Sequence, residues 1–182
     1  MLTASAVEER QRRTARLLAA AGIVVASHEV GEIDIDDFGF GDPDRIGLQS
    51  LVYVSTPRIC AKEVVLFPRQ ACPEHRHPPF DDDPGKVETF RCRAGLVYAY
   101  VPGKPTAQPA CRPPRVELGV YTVWHEVALR PGDQLSLAAD TLHWLHGGPE
   151  GAIVSEFSSA CPPGVDVFTD PEVEPETTVV DG

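Results

Sequence analysis

From residue 47 onward, short runs rich in Val, Ile, Leu, Tyr and Phe recur along the chain. They fall at 49–54, 59–67, 88–93, 96–101, 121–129, 133–137 and 152–158, with proline and glycine mostly between them. Many short strands separated by Pro/Gly turns predict an all-β sandwich or barrel. Gly95 lies between two of the runs and reads as the tight turn of a hairpin. Residues 102–114 are rich in proline and read as a long connection. Before residue 47 the pattern is different. Ser5-Ala6-Val7-Glu8 has the form of a capping box and Gly22 that of a helix stop, so one helix with arginines on its wet side is expected between them.

Composition narrows the class. The chain has 182 residues, 42% of them hydrophobic, enough for one domain with a real core. The expected division is an N-terminal helix and arm over 1–46, a barrel core over 47–160 and an acidic tail over 161–182. No apolar run approaches the roughly 20 residues of a membrane span. Glu8, Glu9, Arg10, Arg12 and Arg13 stand where a signal peptide needs apolar residues, so a cytoplasmic protein is expected. The net charge of −11 argues against a nucleic-acid partner, since phosphate binding needs a basic patch. Acidic residues gather at 29–44 and 166–181 and are expected to be solvated surface and a mobile terminus. The cysteines Cys60, Cys72, Cys92, Cys111 and Cys161 are odd in number and form no C-x-x-C, as expected of reduced thiols rather than a disulfide framework.

The chemistry gathers around His75-Arg76-His77. Two histidines at i and i+2 of an extended strand point to the same face. Pro78-Pro79 forces an extended exit, and a loop with Asp81, Asp82 and Asp83 leads back to Lys86-Val87-Glu88. Alternation puts Lys86 and Glu88 on one face there. Later, Gly132 opens a strand and His143 follows ten residues after Asp133. Three imidazoles and one carboxylate suit a divalent Mn, Fe, Co, Ni or Zn ion.

A His-x-His pair, a later Glu, six residues and Gly95 resemble the first motif of the cupins. The stretch from Gly132 to His143 resembles the second, with Asp140 in a place usually taken by glycine. Asp tolerates the left-handed conformation better than most residues. A closer resemblance is to the D-lyxose isomerase family. It is carried by Cys72-Pro73-Glu74-His75-Arg76-His77-Pro78-Pro79, Gly85-Lys86-Val87-Glu88-Thr89-Phe90-Arg91, Thr141-Leu142-His143-Trp144 and Val154-Ser155-Glu156-Phe157-Ser158. Asp34-Ile35-Asp36-Asp37-Phe38-Gly39 and Arg45-Ile46-Gly47-Leu48 belong to the same resemblance. Leu145-His146-Gly147-Gly148 stands where Phe-Gln-Ala-Gly is common in that family.

The resemblance implies a dimeric cupin (a double-stranded β-helix, jelly-roll-like barrel) with an N-terminal helix. It implies an aldose–ketose isomerase that uses Mn(II), with Co(II), Ni(II), Fe(II) or Zn(II) as other ions suited to such a donor set. His75, His77, Glu88 and His143 would be the metal ligands, Glu156 the acid/base carboxylate and Lys86 a substrate contact. Isomerisation moves a proton between C1 and C2 of a sugar, work suited to one positioned carboxylate. The expected partner is a free monosaccharide, D-lyxose or D-mannose, because the motifs carry few of the basic residues that a phosphosugar needs. Two other readings stay open: a metal-dependent cupin dioxygenase and a non-catalytic sugar-binding cupin. His125 and His146 have no assigned role.

Overall fold

The computed structural model describes residues 1–159 and 164–180; Cys161 lies outside them. The elements are β1 (Leu2–Thr3), α1 (Ala4–Ala20), β2 (Asp34–Asp36), β3 (Leu48–Ser55), β4 (Cys60–Leu66), β5 (Ala71–Arg76) and β6 (Glu88–Val101). They continue with β7 (His125–Leu129), β8 (Gln134–Leu137), β9 (His143–Ser158), β10 (Val167–Phe168) and β11 (Val179–Val180). Nine strands form one curled antiparallel sheet in the order β10-β5-β9-β4-β3-β2, and β6 pairs β9, β7 and β8. This is the expected cupin fold with its N-terminal helix.

β9 is the spine. Its first part pairs with β5, with His75 opposite His143, and its last part with β4, with Lys62 opposite Glu156. β6 runs along its other edge, placing Glu88 opposite Ser158 and Phe90 opposite Glu156. Chemistry-bearing side chains from four strands therefore meet inside one half-barrel. Phe90, Val64, Leu145 and Val154 belong to the buried cluster around them.

Gly95 makes no hairpin turn. Residues 88–101 are one continuous strand of 14 residues, and the register against β9 shifts at Cys92/Ala94 and at Gly95/Val97. Gly95 has φ 71°, and a Cβ there would lie 2.2 Å from the Gly151 carbonyl oxygen. It marks a bulge where two backbones approach closely, the other common use of glycine in a strand. Likewise the strand expected at 152–158 starts at His143, and the one expected at 121–129 starts only at His125.

The helix begins earlier than the capping box implies. Thr3 is the N-cap and its Oγ1 accepts from the Ala6 amide at 3.2 Å. Gly22 does end the helix, with φ 78°, and the Ile23 amide donates back to Leu18, as in a Schellman closure. The arginines are not all on a wet face. Arg13 lies over the Phe67 ring at 3.8 Å, and Arg10 pairs with Asp44 at 3.0 Å. Leu18 is fully buried against Ile33, Leu51 and Phe67. No helix among the described residues is long and apolar enough to cross a membrane.

The acidic C-terminal segment is not a solvated tail over 164–180. Thr169 bonds to Glu74 through both its amide and its hydroxyl, Asp170 pairs with Arg115 at 2.6 Å, and Thr177 accepts from the Asp37 amide. β11 then pairs in parallel with β1. Asp166, Asp170 and Glu172 are engaged by specific partners, which a count of charges does not reveal. Residues 102–114 are likewise tied to the barrel, with Thr106 donating to the Trp124 carbonyl and Ala110 to Glu126. They cover a stack of Tyr100 on Trp144 with centroids 3.8 Å apart.

Candidate active site and metal centre

His75, His77 and His143 are all buried, and one ring nitrogen from each lies within 4.8 Å of the others. Their local structure fixes the tautomers. His75 Nδ1 is 2.8 Å from the Pro73 carbonyl, and His143 Nδ1 is 2.9 Å from the Thr141 carbonyl. A carbonyl only accepts, so Nδ1 carries the proton in both rings and Nε2 keeps its lone pair. His77 Nδ1 donates to the Asp166 carboxylate at 2.5 Å. The backbone turn that leads on to Lys86 depends on Gly85 (φ 95°), where a Cβ would lie 2.7 Å from the His77 carbonyl oxygen. At the other motif, Asp140 does adopt the left-handed conformation, with φ 60°.

Glu88 closes the cluster from the side of β6. Its oxygens lie 3.0 Å from His143 Nε2 and 3.5 Å from His77 Nε2, so it meets two of the three rings. Neither Nε2 has a hydrogen bond despite its burial. Buried lone pairs without donors are costly, and here they converge beside a carboxylate. Three imidazole nitrogens with backbone or carboxylate acceptors behind them, plus one carboxylate, fit a divalent cation. Burial and the neighbouring rings push His75 well below its ordinary pKa, and burial lowers His143 too. Burial also opposes charge on His77, but the Asp166 bond at Nδ1 and the nearby negative charge of Glu88 outweigh it and raise that ring to about 9 in the absence of a cation. Glu88 is held well below the usual carboxylate range: burial would raise it, and His143, His77 and Lys86 together prevail.

Glu156 stands in the same cavity of about 160 Å³. Lys86 Nζ bridges two carboxylates, at 2.6 Å from Glu156 and 2.9 Å from Glu88. Lys62 reaches the other oxygen of Glu156 at 3.3 Å. Glu156 is only 4% exposed, so a charged carboxylate there depends on these two ammonium groups. All six residues expected from sequence are thus brought together.

No family model matches the chain. It is 53% identical over 174 residues to a D-lyxose/D-mannose isomerase of Thermosediminibacter oceani, covering 96% of each chain. It is 52% identical over 174 residues to a D-lyxose ketol-isomerase of a Thermofilum species, covering 96% of this chain and 97% of that protein.

The chain belongs to the D-lyxose ketol-isomerase family.

Among solved structures, the L-ribose isomerase of Cellulomonas parahominis matches 98% of each chain with TM-score 0.82 and 16% identity. That likeness is one of fold.

Set against the family pattern, the cavity holds more than sequence reasoning assigned. Lys62, Asp36, Asp166 and Phe168 also line it. Lys62 was legible only as an outward or inward residue of a strand, and its pairing with Glu156 needs the β4–β9 register. Asp166 was hidden within the acidic tail. His125 is exposed and bonds to the Lys104 carbonyl, away from the cavity. Cys72 lines the cavity but is fully packed, and burial pushes its thiol far up, so it is inert at neutral pH.

Asp36 has a testable peculiarity. Its carboxyl makes no hydrogen bond or ion pair among the described residues. Burial, then Asp34, raise it to about 6 from 3.8, with Lys62 opposing. The folded chain therefore keeps this proton to higher pH than the unfolded chain, and its contribution to stability is intact below pH 3.8 and lost as pH rises through 6. Asp36→Asn is expected to stabilise the chelator-treated protein at pH 8 by about 1–2 kcal/mol more than at pH 4, after allowance for partial exposure. Urea unfolding of both proteins at the two pH values measures this. An equal difference at both would show that Asp36 titrates normally.

Proposed function

We propose that the chain is a divalent-metal-dependent aldose–ketose isomerase that interconverts D-lyxose and D-xylulose, and D-mannose and D-fructose, through an enediol. The observation that carries this reading is the juxtaposition of Glu156, held between two lysines, with the cluster of three histidines and Glu88 in one buried cavity. The D-lyxose/D-mannose isomerase and D-lyxose ketol-isomerase names of the relatives support the substrate class.

His75, His77, His143 and Glu88 would hold the cation, with Mn(II) favoured and Co(II), Ni(II), Fe(II) or Zn(II) suited to the same donors. When bound, it would act as a Lewis acid toward the sugar's O1 and O2. Glu156 takes the proton from one of C1 and C2 and returns it to the other, while the hydroxyl proton passes between O2 and O1. Lys86 offsets negative charge that develops on the sugar oxygen, and its contact with Glu88 ties that charge to the metal-binding cluster. Lys62 holds the second oxygen of Glu156 and so fixes the direction of the carboxylate. Burial on β9 keeps bulk water away from it. Asp36 offers an unengaged carboxyl to the sugar hydroxyls. The free sugar suits a cavity whose cations, Lys62 and Lys86, are both committed to carboxylates.

Asp166 positions His77 through Nδ1. Asp166→Ala is expected to weaken Mn(II) binding by about 10–100-fold, read by calorimetric titration, with the circular-dichroism spectrum preserved. Unchanged affinity would remove Asp166 from the metal site.

The direct test is an anaerobic assay with added Mn(II), D-lyxose and D-mannose being offered separately. Ketose formed without oxygen and abolished by a chelator is the expected result. Absence of product from metal-loaded protein would sink the isomerase reading for these sugars. A dioxygenase would need oxygen for turnover, and a sugar-binding protein would show affinity without product.

A further inference from the structure

His146 is three residues beyond His143 on β9, yet it does not enter the metal cavity. It lines a second cavity of about 570 Å³, together with Arg45, Arg69, Arg112 and Tyr98. The walls come from five separate segments: the turn before β3, the corner between β4 and β5, Tyr98 of β6, the proline-rich connection and the first half of β9. In a chain of net charge −11, the lining brings three exposed arginines, Arg45, Arg69 and Arg112, to one hollow, a local excess of positive charge. The carboxylate in the lining, Asp44, is engaged elsewhere, 3.0 Å from Arg10 and 3.8 Å from Arg13. Arg69 and Arg112 have no carboxylate within ion-pair distance among the described residues. Arg45 has one only at 3.7 Å, from Asp42.

The corner that carries Arg69 is rigid. Arg69 adopts φ 61°, a conformation that non-glycine residues hold only where the surroundings enforce it. Its amide donates to the Gly148 carbonyl at 3.1 Å. The neighbouring Gln70 side chain is fully buried, accepting from the Phe67 amide at 2.7 Å and donating to the Pro43 carbonyl at 2.6 Å. His146 is 6% exposed, and its Nδ1 donates to the Gly147 carbonyl at 2.7 Å. Its Nε2 is left as an acceptor for a hydroxyl.

We propose that this cavity binds a small phosphate-bearing polyol at a site separate from the histidine cluster, with Arg69 and Arg112 clamping the phosphate and His146 accepting from a hydroxyl. Planar guanidinium forks match phosphate oxygens in pairs. Several of them around one hollow suit a dianion better than a single carboxylate. The sugar cavity has the opposite character, with its lysines neutralised by Glu88 and Glu156, so the two sites sort charged from uncharged sugars. The proposal does not depend on the isomerase reading.

The test is calorimetric titration of the full chain, freed of metal by chelator, with D-fructose 6-phosphate, inorganic phosphate and D-fructose. Saturable one-to-one binding of the sugar phosphate is expected, with phosphate weaker and D-fructose silent. The double variant Arg69→Gln/Arg112→Gln should bind at least about tenfold more weakly, whereas His75→Ala should bind like the parent. Absence of saturation at millimolar sugar phosphate overturns the proposal, as does undiminished affinity in the double variant. Loss of binding in His75→Ala would place the phosphate on the histidine cluster and overturn it too. Light scattering of the double variant gives a further check. An altered particle mass would make this face a contact between copies of the chain and not a ligand site.

Discussion

Glu156→Gln is expected to lower turnover of D-lyxose and D-mannose by about 10²–10⁴-fold, with bound metal and the folded state unchanged. The amide is isosteric with the carboxylate but neither accepts nor returns a proton at neutral pH. The glutamine oxygen can accept from only one of the two lysines that hold the carboxylate, best from Lys62. Lys86 keeps Glu88 at 2.9 Å as a partner, so its ammonium is not left bare. Glu156 itself takes no part in the cluster of ring nitrogens, so metal content should match the parent. KM should move little, because the proton-transfer group is used in the transition state rather than in binding. Steady-state kinetics and metal analysis on one preparation check both halves. Retention of more than a tenth of the parental turnover would remove Glu156 as the base. Loss of metal together with activity would assign it to the cluster instead.

The residues that were legible in the sequence share one property: local spacing defines them. His75 and His77 sit two apart near the end of a strand, Lys86 and Glu88 alternate on the approach to and start of β6, and Glu156 alternates with Val154 and Ser158. Period-2 patterning finds such sets without knowing which strands pair. What remained hidden depends on pairing. Lys62 becomes part of the site only because β4 lies beside β9 in the register that sets it opposite Glu156. Asp36 belongs to a three-residue edge strand, too short to show alternation, and Asp166 reaches His77 across 89 positions of sequence. The break expected at Gly95 failed for the same reason. Glycine signals a turn or a close approach equally well, and only the neighbouring Gly151 on β9 decides between them. His146 shows the converse. Its departure from the family pattern was visible, but strand alternation around His143 does not say that the proline-rich connection covers the opposite face and leaves a hollow there.

His143→Ala tests the metal reading from the other side. The ring is 1% exposed at the start of β9, with Nδ1 fixed on Thr141 and Nε2 3.0 Å from Glu88. Removing it deletes one donor and leaves Glu88, itself 2% exposed, with a single imidazole neighbour. Mn(II) affinity is expected to fall by more than about 100-fold, beyond what loss of an outer-shell partner such as Asp166 brings. Activity should fall with it and not return at saturating Mn(II), because the coordination geometry is changed as well as the occupancy. The cavity left by the buried ring should also cost about 1–3 kcal/mol of stability, so the variant must be compared below its own melting temperature. Added imidazole offers a control that separates lost ligation from lost fold: it fits the hole, supplies the missing lone pair and should restore part of the metal binding. A variant that binds Mn(II) as tightly as the parent would show that the histidine cluster is a packed polar core, and the metal-dependent mechanism would fall with it. A variant that loses metal, regains some with imidazole and keeps its β-sheet spectrum would tie catalysis to a cation held by the proposed ligands.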